Sequence, residues 1–265
     1  MSEPQCVTIP DGTQEWRVNG ILHREDGPAI TSANGDQFWY CNGMLHRENG
    51  PAIVRTNGAR IYYHRGVIHR EDGPAAILAS GAQEWYRNGK LHREDGPAIT
   101  SVNGDQAWHF NGKLHRENGP AIIRTDGYQE WHRNGKLHRE DGPAITGSSD
   151  YKAWYFNGKL HCKDAPAIVL ADGGQFWYFN GKIHREDGPA EIWADGDQVW
   201  CHYGKRHRED GPALIRADGT QIWYFDGILH RENGPAIVNA DGTEEYWEHG
   251  NQIIQDDHIP PSARM

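Results

Sequence analysis

The chain has 265 residues, of which 37% are hydrophobic and 32 are glycine, and its formal net charge is −10. So little apolar material excludes a thick two-layer core, and eleven Trp with eleven Tyr exclude a disordered chain, which would be poor in aromatics. The negative balance, without any run of Lys and Arg, argues against nucleic acid or an anionic membrane surface as partner.

In chain order, residues 1–13 read as a lead-in with one turn at Asp11-Gly12, and Met1 to Pro10 contain no apolar leader. A unit of 23 residues then repeats over 14–250. Its first aromatic stands at Trp16, Trp39, Tyr62, Trp85, Trp108, Trp131, Trp154, Trp177, Trp200, Trp223 and Tyr246. Two residues further on comes a variable position, then Asn-Gly or a relative of it, with glycine kept in every copy from Gly20 to Gly250. The heptapeptide His-Arg-Glu-Asp-Gly-Pro-Ala follows, first complete at His23 to Ala29. Its histidine returns at 46, 69, 92, 115, 138, 161, 184, 207 and 230 without one insertion or deletion. A second Asp-Gly or Asn-Gly, as at Asn34-Gly35 and Asp172-Gly173, closes each unit.

A strict period of this length means one supersecondary unit copied along an axis. Asn-Gly between two apolar stretches predicts a two-residue hairpin, because a type I′ turn needs positive φ at both positions. Counting outward from Asn88-Gly89, Trp85 should face His92, Tyr86 should face Leu91, and Glu84 should face Arg93. The connector should be a turn of similar chemistry, and no turn-free stretch is long enough for a good helix. The expected fold is all-β, an elongated array of antiparallel β-hairpins with about ten repeats. Residues 251–265, with two Pro and no repeat features, should cap the array or trail from it.

The run Asn-Gly-Lys-Leu-His, followed by Asp-Gly-Pro-Ala and later Ala-Asp-Gly-Thr, resembles a MORN repeat (membrane occupation and recognition nexus) over residues 14–250. Arg24 and its equivalents depart from that family, which commonly has Gly after the histidine. The resemblance implies antiparallel sheets that serve as scaffolds or interaction surfaces, with lipid binding claimed for some members. The heptapeptide flavour is also similar to repeats of large DNA viruses and phages, which would place the chain in host cytoplasm or in a virion.

The His-Arg-Glu-Asp quartets invite a catalytic reading, but Asp becomes Asn at 49, 118 and 233, which keeps a turn and destroys an acid or base. The chain reads as no enzyme, with no cofactor and no metal site. A ligand- or metal-sequestering role would use the repeated face of His92, His115, His138, Trp85, Trp108 and Trp131. The structural explanation is a histidine bonded to turn backbone and an aromatic core. The variable third position runs Val18, Cys41, His64, Arg87, Phe110, Arg133, Phe156, Phe179, His202, Phe225. Phe110, Phe156, Phe179 and Phe225 there are candidates for an exposed strip that binds a protein partner. A second buried layer is the alternative. The copy spanning 147–165, with Cys162 and Ala165 in its heptapeptide, is either a docking seam or drift. Open terminal strands could pair two copies of the chain. Cysteines 6, 41, 162 and 201 share no spacing, which suits free thiols in the cytoplasm.

Overall fold

The computed structural model describes residues 3–254. Among them every regular element is a β-strand, most only two residues long. The chain divides into two compact units, Met1–Lys136 and Leu137–Met265.

Turn chemistry sets the local structure. Asn88 has φ 50° and Gly89 φ 76°, both left-handed, so they close a tight hairpin between Tyr86–Arg87 and Lys90–Leu91. Tyr86 pairs with Leu91 and Arg87 with Lys90, the register counted from the sequence. The same turn persists where Asn is replaced, with Arg65 at φ 48° and Tyr203 at φ 46°. His92 N–H donates to the Trp85 carbonyl at 3.0 Å, so this pair also faces as expected.

Beyond Trp85 the register changes partner. Trp85 N–H donates to the Ala98 carbonyl at 2.7 Å, and Glu84 pairs with Ile99 rather than with Arg93. The reason is the Gly96-Pro97 bend, which carries the chain back as a second strand, Ile99–Thr100, before the hairpin can extend. Each repeat therefore supplies one hairpin and two strands of a separate ladder. In the first unit that ladder runs through neighbouring pairs such as Gln83–Glu84, Ile99–Thr100 and Gln106–Ala107. In the second it runs through Gln175–Phe176, Glu191–Ile192 and Gln198–Val199.

The connector turn differs from the hairpin turn. Leu78 N–H donates to the Ala82 carbonyl and Gly81 N–H to the Leu78 carbonyl, both at 2.9 Å, with Gly81 at φ 93°. That is a three-residue loop whose last residue is left-handed. The residue before glycine holds it, as where Thr13 N–H donates to Asp11 Oδ1 at 2.8 Å. In the irregular copy Asp150, at φ 62°, takes the left-handed place.

Packing follows from the short period. The alanine of each heptapeptide, from Ala29 to Ala236, is fully buried, and no large side chain is. Its carbonyl receives the Trp N–H of its own repeat, leaving no room beyond a methyl group. Larger apolar groups gather on the opposite face, where Val199, Cys201, Leu214 and Ile222 cluster with Ala190 in the second unit. At the start, Gln5–Thr8 adds a strand to Gln14–Val18, with Thr8 opposite Gln14. At the end, Asn251–Ile253 pairs with Glu244–Glu248, and the expected tail from 255 onward lies outside the described residues.

Candidate functional site

The heptapeptide histidines and the third-position residues share one face of the hairpins. Each histidine joins its repeat to the next. Asn111 N–H, in the following turn, donates to His92 Nδ1 at 3.1 Å, and Asn134 N–H donates to His115 Nδ1 at 3.1 Å. Asn157 does the same for His138 at 3.1 Å. The bond occurs in all ten copies at 3.0 to 3.4 Å, including those where the donor is Arg65, Tyr203, Asp226 or His249. An Nδ1 that accepts must carry a lone pair, so the ring is neutral with its proton on Nε2. That proton points at the glutamate two residues on, as from His92 to Glu94 at 3.4 Å and from His138 to Glu140 at 3.3 Å.

Arginine covers the tryptophan. The Arg93 guanidinium lies 4.2 Å from the Trp85 ring centre, and Arg116 lies 3.9 Å from that of Trp108. Arg93 also donates to Asp95 Oδ1 at 2.9 Å and to the Pro97 carbonyl at 3.4 Å. Asp95 is held below the usual carboxylate range by that hydrogen bond and by the charge of Arg93. Glycine makes the arrangement fit, because a Cβ on Gly96 would lie 2.8 Å from Arg93 Cζ. The irregular copy obeys the same rule: where Cys162 replaces arginine, Ala165 replaces glycine.

Trp85, Trp108 and Trp131 are therefore half-buried rather than fully enclosed. Among the described residues no group of three or more His, Cys, Asp or Glu side chains is placed to hold a metal ion.

The third position is exposed. Phe110, Phe156, Phe179 and Phe225 are 43%, 44%, 38% and 51% accessible, so the strip is no second buried layer. Each Phe leans on a histidine of the preceding repeat, as Phe110 on His92 at 4.7 Å and Phe156 on His138 at 4.8 Å. In the second unit the rings form an unbroken column through His138, Phe156, His161, Phe179, His184, His202, His207, Phe225 and His230. Open grooves of about 450 to 730 Å³ separate successive Arg-Glu-Asp loops beside these columns.

Two features escaped the sequence reading. The connector turns carry their own inter-repeat bonds, with Thr56 N–H donating to Asp36 Oδ1 at 2.8 Å and Thr125 N–H to Asp105 Oδ1 at 2.9 Å. Asp or Thr at that position was the available signal. On the opposite face Glu130 binds His132 at 2.6 Å and receives the Tyr128 hydroxyl. Its hydrogen bond to His132, above all, keeps the Glu130 carboxyl below its ordinary range. Arg206, which breaks an otherwise apolar column, reaches the Tyr224 hydroxyl at 3.4 Å and lies exposed.

Fold and face together define an all-β repeat protein with a histidine-stapled hairpin ladder. No family model matches the chain, and no curated protein is similar to it. Among the described residues no helix is long and apolar enough to cross a membrane.

Proposed function

We propose that this MORN-like chain is a non-enzymatic scaffold that binds protein partners through the variable third-position side chains. One observation carries the reading: the backbone of the face repeats from copy to copy, while its exposed column changes from valine to phenylalanine, histidine or arginine. A surface with constant backbone and varied exposed side chains suits recognition of a macromolecule. The chemistry argues against catalysis and sequestration on the same face. Histidine Nδ1 atoms are spent on backbone N–H groups, and tryptophan faces lie under guanidinium groups. Gln5–Thr8 and Asn251–Ile253, both exposed along their length, offer edges for pairing two copies. Cytoplasm of a cell or an infected host is the proposed setting.

The test is native mass spectrometry of protein from its own source, followed by binding of any co-purified protein to purified variants. The triple change Phe156→Ser, Phe179→Ser, Phe225→Ser should abolish that binding and leave stability within about 0.5 kcal/mol, as surface changes do. Undiminished binding by the triple variant, or a bound metal or small molecule instead of a protein, would overturn the reading.

A further inference from the structure

Two hairpins, one in each unit, depart from the others in the same two ways. The third reads His64-Arg65-Gly66 and the ninth His202-Tyr203-Gly204. Each places a residue other than Asn at the left-handed turn position, where a side chain without Asn's local hydrogen bonding is strained. Each also places an exposed histidine beside the histidine that staples it. His64 lies 4.9 Å from His46 and His202 lies 5.0 Å from His184, centre to centre. The staple from Tyr203 N–H to His184 Nδ1 is the longest of the ten at 3.4 Å, and that from Arg65 to His46 is 3.2 Å.

We propose that the third and ninth hairpins are acid-sensitive joints, at which protonation of a histidine pair releases the hairpin from the repeat before it. A proton on Nδ1 turns the acceptor of the staple into a donor that faces another donor. A proton on the exposed partner, His64 or His202, puts a positive charge beside the ring that must stay neutral.

The charges around each pair are mixed. His184 faces Glu186 at 3.9 Å on its own loop and His202 on the next hairpin, with Tyr203 stacked on it at 4.1 Å. Lys163 and Asp164 of the preceding loop line the same groove. His46 faces Glu48 on its own loop and His64 and Arg65 on the next hairpin. Arg24, Glu25 and Asp26 of the preceding loop share its groove. Burial first, then the neighbouring histidine, hold both His46 and His184 below the ordinary histidine value, against the opposing pull of Glu48 and Glu186. In an opened hairpin the ring titrates at its ordinary value, near 6.5. The opened form therefore takes up protons first. The closed joint keeps its full stability above that pH and loses it as pH falls toward the depressed value.

The experiment is hydrogen–deuterium exchange of the full chain by mass spectrometry, from pH 7 to 5, after division by intrinsic exchange rates. Peptides carrying Arg65 and Tyr203 should lose protection severalfold over that range. The peptide carrying Asn157, whose acceptor His138 has Phe156 as neighbour, should lose less. His64→Gln and His202→Gln, both at exposed positions, should flatten the decline at their own hairpins only. Equal decline at all three peptides, or no change in the glutamine variants, would overturn the proposal. Neither outcome depends on whether a partner protein binds.

Discussion

At the scale of single residues, the heptapeptide is a set of interlocking steric and hydrogen-bonding roles. Arginine lies on tryptophan, aspartate and the proline carbonyl hold it, and glycine leaves it space. Gly96→Ala should therefore push Arg93 off Trp85 and cost about 1 to 2 kcal/mol. Adding Arg93→Cys should recover part of that loss, as Cys162 and Ala165 occur together in one natural copy. Urea denaturation of the two single variants and the double would measure the coupling, expected to be about 1 kcal/mol. The fully buried alanine tests the packing in the other direction. Ala98→Val should destabilise by about 1 to 3 kcal/mol, since two methyl groups enter a site filled by backbone. A neutral thermal shift for Ala98→Val would refute that account.

At the scale of the hairpin, the turn was legible and the strand beyond it was not. Asn88-Gly89 announces positive φ, so the facing of Tyr86 and Leu91 could be counted from the sequence. Counting failed at Glu84, because hairpin counting assumes one continuous ladder and Trp85 divides its N–H and carbonyl between two. The histidine staples were invisible for a different reason. A period of 23 shows which residues are equivalent, but not that Nδ1 of one copy meets a backbone N–H nineteen residues on. The exposed phenylalanines were read as candidates because their position varies, and their accessibility accords with that. Arg65→Asn should stabilise the chain by about 0.5 to 1 kcal/mol, because asparagine adopts the left-handed turn with less strain. A raised melting temperature would agree, and an unchanged or lower one would show that Arg65 makes a compensating contact. His115→Ala should cost about 1 to 3 kcal/mol by leaving the Asn134 N–H without its acceptor.

At the scale of the whole molecule, stability comes from many small, nearly identical contacts between neighbours. With alanine as the fully buried residue and tryptophans half-covered, little apolar surface is removed from water per residue. The heat-capacity change of unfolding should fall below the ordinary 12 to 15 cal/mol/K per residue, roughly. Calorimetry reads this directly, and a value within the ordinary range would contradict the packing described. The staples also have a direction: the acceptor always belongs to the earlier copy and the donor to the later one. A hairpin leaving the ribosome thus meets an acceptor that is already in place. By the same logic, a gene that gains or loses one 23-residue copy leaves each remaining junction with both of its partners. Repeat number can drift without a folding penalty at the seams, so the length of the binding face is open to selection independently of its stability.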